Sequence, residues 1–585
     1  MPFDGIALFG TIYELKEHLT GNRISKIHQP NKNELIFSVR GNRRELKMLL
    51  SADSVNCRMH LTDTTEKNPS SPPMFCMLLR KHLLGGKIEF ISQKGLERIV
   101  EIIIHNTDEF MQPVEYKLIV EIMGKHSNII LLDLNKNMVI DSIKRISFEV
   151  NRFREILPGK TYVDPPIEKK INLMLVDDNY IMSTMKEAIS QKTLSRWIID
   201  NFAGFSGASA QEVALRARVN HKTPISKLSD AEIQELTKVL ADLKNDLVLC
   251  RFNPYIYLNP KTKEPMDFWV FPMVSHDKEQ KISDSSPNNA VDFFFSRKRE
   301  VIALNDAKNH LKSQVAKHIK KLKQNLDYLR ERVAYTSDFS KYKLWGEILS
   351  ANIYRIKPGQ SHVKLPNFYS SYDEVLIPLN EKLSPAHNAQ VYFKKYKKLQ
   401  TTKTKVEARI NKTLMEIDYL ESTLVNIEDS RTLEDLSEIQ QELESNNYNK
   451  TFRSKPKKHQ VSEPLQFKSS DGILIRVGKN NRQNDNLTLK KSKPDHVWLH
   501  AKDIPGSHVV IKSDSSTISE ATLTEAAILA AYFSKGRNSS NVPVDYTLVR
   551  HVKKPAGAKP GFVIYYHQKT VYVTPEEGIV EKLSF

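Results

Sequence analysis

Cysteine is scarce in this chain, and the few that occur are arranged neither as metal ligands nor as evident disulfide partners. Only three are present among 585 residues, Cys57, Cys76 and Cys250. No two of them form a Cys-x-x-Cys pair, so the sequence predicts neither a structural zinc site nor a disulfide framework. This usage fits a reducing compartment, and we expect a cytoplasmic protein that needs no metal and no cofactor.

Long apolar runs are also missing. No stretch of about 18 uncharged apolar residues occurs, so we expect no membrane-spanning helix. The first residues, MPFDGIALFGTIYELKEHL, contain acidic side chains early and no long apolar core. That pattern is not typical of a secretory signal, which makes export an unfavoured interpretation.

Negative charge is the third deficit. The chain has 69 Asp and Glu against 87 Lys and Arg, a formal net charge of +18. This excess favours a polyanion, above all nucleic acid, as the partner. Hydrophobic residues still make up 40%, enough for ordinary cores, and 585 residues are too many for one core. We therefore expect a multidomain α+β protein with roughly three to five domains.

Residues 1–168 are predicted to form an α+β domain. Short segments rich in Ile, Val and Leu, such as ELIFSV, RIVEIIIH, YKLIVEIM and NIILLDL, are separated by Gly, Asn and Asp. A helical apolar pattern interrupts them after Pro72–Pro73 and ends at Gly85–Gly86.

Residues 169–255 are predicted to be helical and to contain a hairpin. Gly204 and Gly207 bracket a tight turn, and Ser209 is expected to cap the next helix, with Glu212 three residues on. The segment resembles a helix-hairpin-helix, which presents backbone N–H groups to phosphates. A plain helix–turn–helix connection explains it equally well. A linking segment, 256–296, is expected to follow.

Two heptad-like stripes predict an intramolecular antiparallel coiled coil. Its arms are 297–345 and 388–446, and a small connector module, 346–387, joins them. From 297 to 333 there are 11 Lys and Arg but 4 Asp and Glu, so we favour an RNA-facing arm over a merely solvated face. The apolar positions of the stripes are Leu311, Val315, Ile319, Leu322, Leu326, Leu329, Val333, Val406, Ile410, Leu414, Ile417, Leu420, Leu424 and Ile427.

After a polar, basic linker at 447–464, residues 465–585 are predicted to form a second α+β domain. It contains the stretch DHVWLHAKDIPGSHVVI. In a strand, Val497 and Leu499 would face one side while His496, Trp498 and His500 face the other. We expect the second side to be displayed, with Trp498 available to stack on a base.

Other residues of this domain extend the predicted RNA-binding surface. Lys502 offers a charge, and the N–H groups of the turn at Gly506 and Ser507 are suited to a phosphate oxygen. The complete predicted set is Lys479, Arg482, Asp495, Trp498, His500, Lys502, Gly506, Ser507 and His508, with Gly204 and Gly207 in the hairpin.

Enzymatic interpretations of the same stretch are weaker. Asp495, His500 and Ser507 include the ingredients of a Ser/His/Asp group, but no nucleophile elbow surrounds Ser507. His500 and His508 lack a third metal ligand at a useful spacing. We expect no catalytic residue.

Several long motifs resemble one family in the same order along the chain. RISKIHQP, PPMFCMLLRKHL, EIMGKHSNIILLD and LPGKTY resemble the NFACT-N domain, and ANIYRIKPG and NAQVYFKKYKKLQ resemble the middle module. VGKNNRQNDNLT followed by DHVWLHAKDIPGSHVVI resembles NFACT-R, an RNA-binding domain. The family is the RqcH type of ribosome quality-control factor, often labelled fibronectin-binding protein.

The resemblance implies an adaptor of the large ribosomal subunit. Such proteins bind a subunit obstructed by peptidyl-tRNA, contact ribosomal RNA, and recruit alanine tRNA. The ribosome then adds a C-terminal alanine tail without mRNA, and the tail marks the product for degradation. The resemblance also implies tRNA-binding residues: Glu97 and Arg98, where the family has Asp–Arg, and Glu121, Ile122 and Met123.

Two alternatives belong to other functional classes. A surface adhesin would make fibronectin a partner, but no export signal supports it. The first domain and hairpin also resemble formamidopyrimidine-DNA glycosylases, which use an N-terminal Pro amine as nucleophile. Pro2 matches, but Phe3 stands where that mechanism needs an acid, and no zinc-finger cysteines follow.

Overall fold

The structure is a computed structural model, and it describes residues 3–41, 44–64, 67–166, 169–260, 262–370, 373–448, 462–513 and 518–584. The chain divides into two compact units, Met1–Ile302 and Ala303–Phe585. None of the helices in these ranges has the length and the hydropathy of a membrane-spanning segment. The same ranges contain no group of three or more His, Cys, Asp and Glu side chains that could hold a metal ion.

The first unit is built on a nine-stranded antiparallel sheet in the order β4-β3-β2-β1-β5-β6-β7-β8-β9. The two halves of the sheet meet where Arg23 pairs with Lys87. Its elements, in chain order, are α1 (Gly5–Leu19), β1 (Arg23–Asn31), β2 (Glu34–Arg40), β3 (Glu45–Ser51), β4 (Arg58–Leu61), α2 (Met74–Leu83), β5 (Lys87–Gln93), β6 (Ile99–Thr107), β7 (Pro113–Glu121), β8 (Asn128–Asp133) and β9 (Met138–Ser142).

Alternation along the strands gives this sheet two buried faces at its β6–β9 end. Ile102, Leu118 and Leu131 belong to the main core, which α1 and α2 share. Ile119 and Ile130 belong to a smaller cluster on the opposite face. Because successive side chains of a strand point to opposite faces, the near-continuous Ile/Val/Leu runs of the sequence are used on both sides.

A helical part and a small sheet complete the first unit. The small sheet starts at Tyr255 and lies otherwise within 256–296, which we predicted to be a linking segment. Ile256, Tyr257 and Phe268 of that segment are buried in the main core. The elements are α3 (Asp178–Lys186), α4 (Leu194–Asn201), α5 (Gly207–Arg216), α6 (Asp230–Val248), β10 (Tyr255–Leu258), β11 (Pro265–Trp269) and β12 (Gln280–Ser283).

The two predicted apolar stripes lie on two long helices. Lys312 contacts Glu428 at 3.0 Å and Lys323 contacts Glu421 at 2.9 Å, so the residue numbers run in opposite directions along the pair. Buried Leu311, Val315, Ile319, Leu420 and Ile427 lie in one cluster between them. The elements of this part are α7 (Pro287–Thr336), α8 (Ser340–Ala351), β13 (His362–Pro366), β14 (Glu374–Pro378), α9 (Pro385–Asp429) and α10 (Leu433–Ser445).

The predicted second arm, 388–446, contains two helices. Helix α9 ends at Asp429, and Thr432 caps a separate helix, α10. The Thr432 hydroxyl accepts the Asp435 N–H, and the Asp435 carboxylate accepts the Thr432 N–H, which is a capping box. The connector forms an apolar cluster of its own, as its sequence indicated, around Ile348, Leu365 and Ile377.

The C-terminal sheet is antiparallel with six strands in the order β15-β16-β18-β17-β19-β22. Helix α12 covers one face, where Val497, Leu499 and Ala527 are buried together. The remaining elements are β15 (Leu465–Lys468), β16 (Leu474–Val477), α11 (Asn481–Leu489), β17 (Val497–Ala501), β18 (Val509–Ile511), α12 (Glu520–Tyr532), β19 (Val542–Leu548), β20 (Val552–Lys553), β21 (Ile564–Tyr565), β22 (Lys569–Val573) and α13 (Glu577–Leu583).

Candidate nucleic-acid interface

The two N-terminal segments that were singled out as tRNA-binding lie side by side. Glu97 and Arg98 belong to the turn between β5 and β6, and both are partly exposed. The backbone N–H of Ile122 donates to the Arg98 carbonyl at 2.9 Å, just beyond the pairing of Ile99 with Glu121. Residues more than twenty positions apart in sequence therefore meet at one edge of the sheet.

Glu121 does not present its carboxylate to solvent. Its side chain is 0% exposed and accepts two bonds from Arg154, at 2.7 and 2.5 Å, and one from the Tyr162 hydroxyl at 2.9 Å. Burial, followed by the charge of Glu121, raises the pKa of the Tyr162 hydroxyl, which keeps it a donor. The expectation that Glu121 contacts tRNA directly is therefore corrected. The buried Glu121 side chain has a structural role, because it anchors the 154–162 segment.

The neighbours of Glu121 are divided between core and surface. Ile122 is fully buried in the main core, so its side chain cannot reach RNA. Met123 is half-buried and packs against the smaller cluster of the sheet. Among the predicted tRNA-binding set, Glu97, Arg98 and Met123 thus retain exposed surface, while Glu121 and Ile122 support them from within.

Arg154 and Tyr162 were missed by sequence reasoning. They lie in FREILPGKTYV, and no periodicity or spacing in that segment indicates a partner across the sheet. The usable signal was the acid itself: a Glu that follows the apolar run Leu118–Val120 at the end of a strand requires a buried cation when the strand is covered on both faces.

The predicted hairpin turn is present, and Gly204 in it packs against neighbouring segments of the first unit. Its carbonyl accepts the N–H of Gly5 at 3.0 Å, and its φ is +90°, a region that favours glycine. A Cβ added at Gly204 would lie 2.9 Å from the Cβ of Leu96. Gly204 therefore joins the hairpin to the start of α1 and to the β5–β6 turn.

The helix after the turn begins earlier than predicted. Ser206, not Ser209, is its N-cap, and Ser209 completes the capping box by accepting the Ser206 N–H at 2.8 Å. Glu212 is buried and accepts the backbone N–H groups of Val274 and Ser275. Gly207 is exposed, with nothing within 4 Å of an added Cβ.

Trp498 is buried, which corrects the expectation of a displayed stacking face. The predicted alternation of strand β17 is right, but both faces are covered. Trp498 is 0% exposed and lies in a cluster with Leu487 of α11, Val510 and Val549. No pattern in the sequence indicates that α11 and the 549–565 segment cover the second face.

His508 and His500 are neutral groups in the same layer. The two ring nitrogens of His508 contact the Thr488 hydroxyl at 2.8 Å and the Gly561 carbonyl at 3.1 Å. Burial, then the neighbouring His500, lowers the pKa of His508 to about 3. Burial also lowers the pKa of His500. Neither ring supplies positive charge to a phosphate near neutral pH.

In the turn after β17, the backbone N–H of Ser507 is already engaged. Ser507 is buried and donates its N–H to the Phe533 carbonyl at 2.9 Å, so the predicted phosphate contact at this N–H is corrected. A Cβ added at Gly506 would lie 2.7 Å from the Cβ of Ser534. Lys502 remains exposed.

The remaining predicted polar residues contact other side chains of the second unit. Lys479 pairs with Asp435 at 3.1 Å, and the Arg482 guanidinium donates to the Ser445 hydroxyl at 2.7 Å. Both contacts hold α10 against the C-terminal domain. Asp495 pairs with Arg550 at 2.5 Å on the surface.

A cavity of about 310 Å³ lies beside Trp498. It is lined by residues from 415–422 of α9, from 503–508 and from 560–565, together with Asn481, Trp498 and His500, and we call it the indole cavity. The Nε1–H of Trp498 has no hydrogen-bond partner within the described part of the chain.

Comparison with known proteins agrees with this architecture. Residues 4–462 match the NFACT N-terminal and middle domains, and residues 464–566 match the NFACT protein RNA binding domain. The Rqc2 homolog RqcH of Bacillus subtilis is 39% identical over 588 aligned positions, and that of Streptococcus suis is 36% identical over 586; both alignments cover 100% of each chain.

Among solved structures, the N-terminal part of the fibronectin/fibrinogen-binding protein of Streptococcus suis is 32% identical, with a TM-score of 0.42. It covers 50% of this chain and 99% of its own. The two matches to family domains together span nearly the whole chain, and relatives align from end to end. The chain therefore belongs to the NFACT family, in the group of the RqcH proteins.

Proposed function

We propose that this protein acts in ribosome quality control as an adaptor of the large ribosomal subunit. It binds a subunit obstructed by peptidyl-tRNA and recruits alanine tRNA, so that the ribosome adds an alanine tail to the stalled chain. Peptide-bond formation belongs to the ribosome in this scheme. The protein itself contributes binding and positioning.

One observation carries the proposal: end-to-end similarity to proteins named Rqc2 homolog RqcH, including the RNA-binding domain. The formal net charge of +18 supports an RNA partner, because Lys and Arg that neutralise phosphates release bound counterions. The juxtaposition of Arg98 with the end of β7 supports a tRNA contact at that edge of the sheet.

The tRNA contact is assigned to Glu97, Arg98 and Met123. Arg98 is suited to a phosphate because its planar guanidinium donates two parallel hydrogen bonds. Buried Glu121 and Ile122 hold the backbone beneath these side chains. Their role is positioning.

The helix pair α7 and α9 is proposed to be a coiled-coil arm that contacts ribosomal RNA. Lys317, Lys320 and Lys321 are exposed on α7, within the segment that carries a net charge of +7. Lys502 extends the proposed RNA-facing surface in the C-terminal domain.

The test is sequencing of RNA that co-purifies with the tagged protein, combined with profiling of ribosomal subunits. Enrichment of alanine tRNA on large subunits is expected. Enrichment of mRNA on whole ribosomes, or of no tRNA at all, would contradict the proposal. An Arg98→Ala protein is the matched control, since it should keep the large-subunit RNA and lose the alanine tRNA.

A further inference from the structure

Five cations of the C-terminal domain are already paired with carboxylates of the second unit. Three of those carboxylates belong to α9 and α10, so the pairs hold the domain against these helices. The pairs are Lys479–Asp435, Lys535–Glu421, Arg537–Asp429, Lys554–Asp485 and Arg550–Asp495. An RNA phosphate could bind at these positions only by displacing a carboxylate from its cation. A surface that accepts phosphates without such a displacement must use other cations of the domain.

Two other cations lie side by side on the C-terminal sheet, on the face opposite α12. Arg476 of β16 pairs with Val510 of β18, whose side chain is buried on that face. The backbone N–H of Lys512 donates to the Leu474 carbonyl at 2.9 Å, so Lys512 continues the same register two residues beyond Val510. Because alternate residues of a strand share a face, Arg476 and Lys512 are diagonal neighbours, within reach of each other's long side chains.

A third cation, Lys491, follows the C-terminal end of α11. Its ammonium lies 3.3 Å from a carboxylate oxygen of Glu463. Burial, followed by the positive charges of Arg476 and Lys491, lowers the pKa of Lys512. Glu463 acts on Lys512 in the opposite direction and less strongly. Three cations therefore share one carboxylate, and we call Arg476, Lys491 and Lys512 the cation patch.

The cation patch is accessible and lacks matching negative charge. Lys491 is exposed, and Arg476 and Lys512 are partly exposed, so an anion from solvent can reach all three. Within the described part of the chain, neither Arg476 nor Lys512 is paired with a carboxylate. Like charges held close together repel one another, which destabilises the free protein. A bound anion removes this repulsion, and proteins keep such unfavourable arrangements mainly where function requires them.

The chemistry of the three side chains suits the phosphates of a nucleic-acid backbone. The Arg476 guanidinium presents parallel N–H donors that match two oxygens of one phosphate, and Lys491 and Lys512 supply point charges. None of these three side chains carries a ring that could stack on a base. Contacts to phosphates fix the position of a nucleic acid and carry no sequence information.

We propose that the cation patch binds backbone phosphates of RNA without preference for sequence. The inference rests on the proposed RNA-binding role of this protein. It assigns the phosphate contacts of the C-terminal domain to residues other than Lys479 and Arg482, whose side chains contact α10.

The first test is lysine footprinting of the full-length protein. Reductive methylation, followed by mass spectrometry, is compared with and without an unstructured single-stranded RNA. The RNA should slow the reaction of Lys491 and Lys512 several-fold. Lys569, exposed on β22 at the far edge of the same sheet, should react at an unchanged rate. Equal reaction of Lys512 with and without RNA would overturn the proposal.

The second test is the salt dependence of RNA binding by two double variants, measured by fluorescence anisotropy with the same RNA. Arg476→Gln/Lys512→Gln should reduce the slope of the log–log plot by roughly 1.4, since each phosphate contact on a single strand contributes about 0.7. The matched control, Lys553→Gln/Lys569→Gln, removes the same charge from exposed residues of the domain outside the patch. Its slope should stay close to that of the unmodified protein, and equal slopes for the two variants would contradict the proposal.

Hydrogen exchange of β18 in the absence of RNA distinguishes a binding role from a structural one. Lys512→Gln removes the repulsion that Arg476 and Lys491 exert on this side chain, so the protection of β18 in the full-length protein should stay the same or increase. A clear loss of protection would show that Lys512 holds the sheet together, and the binding role would then be rejected.

The outcomes also identify the partner and separate this proposal from the ribosomal role. If polyglutamate protects Lys512 from methylation as strongly as RNA does, the partner is an acidic protein and the RNA proposal fails. Large-subunit association without protection of Lys491 and Lys512 would refute the patch proposal alone. Protection of the patch, with neither alanine tRNA nor large-subunit RNA among the co-purified RNA, would leave the patch proposal standing and refute the ribosomal role.

Discussion

Glu121 and Arg154 form a buried ion pair whose members depend on each other. The side chains are 0% and 4% exposed, and the Tyr162 hydroxyl completes the contacts of the carboxylate. Taking both charges out of water is costly, so the pair is tolerated only because each charge is matched. The family resemblance assigns Glu121 to tRNA binding, but its carboxylate is buried in this ion pair. We therefore expect Glu121 to hold the neighbouring residues in position.

Removing the charge of Glu121 should destabilise the first unit. Glu121→Gln leaves the Arg154 guanidinium buried without a counter-charge, which we expect to cost about 3–5 kcal/mol of unfolding free energy. Urea unfolding of the full chain measures this change. The control is Glu101→Gln, whose partner Lys117 is 22% exposed, with an expected cost below about 1 kcal/mol. Equal losses in the two variants would contradict the interpretation.

Arg98 should be required for tail synthesis but not for the fold. Arg98→Ala removes the guanidinium while the backbone bond from Ile122 to its carbonyl remains possible. We expect alanine tailing to be abolished and large-subunit association to stay mostly intact, as measured by a tailing assay and by subunit co-sedimentation. Arg98→Lys keeps the charge but loses the bidentate geometry. Its alanine tailing should therefore lie between that of the unmodified protein and that of Arg98→Ala. Glu97→Asp should be close to neutral if charge alone matters there.

The buried His508 should make the C-terminal domain sensitive to acid. Its folded-state pKa is lowered to about 3, mainly by burial, while an unfolded His has a pKa of about 6.5. His508 therefore takes up a proton in the unfolded chain at a pH at which it stays neutral in the native state. The free energy of unfolding falls as the pH drops below about 6.5. At pH 5 the loss should reach about 2 kcal/mol.

The measurement is hydrogen-exchange protection of residues 497–511, expressed relative to the unfolded peptide at each pH. His508→Asn should lower protection at pH 7.5 and also flatten its decrease toward pH 5. A pH dependence that is the same in both proteins would show that His508 is not the group responsible.

Among the secondary-structure elements, the two glycines of the hairpin have different structural roles. Gly204 has a φ of +90° and stands against Leu96, whereas Gly207 opens α5 with free space around it. The sequence places them three residues apart in the same turn. Only one of them is required by packing.

Substitution of each glycine by alanine should distinguish these two structural roles. Gly204→Ala is expected to cost about 1–3 kcal/mol through backbone strain and overpacking. Gly207→Ala should change the unfolding free energy by about 0.5 kcal/mol or less, because this first helical position accepts a Cβ. Thermal unfolding of the two full-length variants measures the contrast. A Gly207→Ala protein that is as unstable as Gly204→Ala would refute this assignment.

At the scale of the whole molecule, the positive charge should control association with RNA. Each phosphate contact should steepen the log–log dependence of binding on salt by roughly 0.7 to 0.9. The double variant Lys317→Gln/Lys321→Gln on α7 should therefore reduce the slope of large-subunit binding by roughly 1.4 to 1.8. Filter binding between low and moderate salt provides the slope.

The matched control is Lys323→Gln on the same helix. Lys323 is already paired with Glu421 at 2.9 Å, so a smaller change of slope is expected. Binding that is independent of salt in the unmodified protein would argue against an electrostatic RNA-facing arm.

The local features of the fold could be predicted from the sequence alone. The Ile/Val/Leu-rich segments form strands because alternate residues can be buried on two faces, and the helix between Pro73 and Gly85 starts and stops where these residues predict. The spacing of Leu311, Val315 and Ile319 fixed the buried stripe of α7, since residues three and four apart share a helix face. These properties depend on near neighbours in the chain.

Which of these faces are covered depends on how distant segments pack together. Strand β17 has the predicted alternation, but α11 and the 549–565 segment bury Trp498, which the sequence had placed on a displayed face. Glu121 became structural because Arg154 reaches it from another segment, and the N–H of Ser507 is taken by the Phe533 carbonyl. Burial is a property of packing between distant segments, so the period of a strand or the composition of a turn cannot specify it.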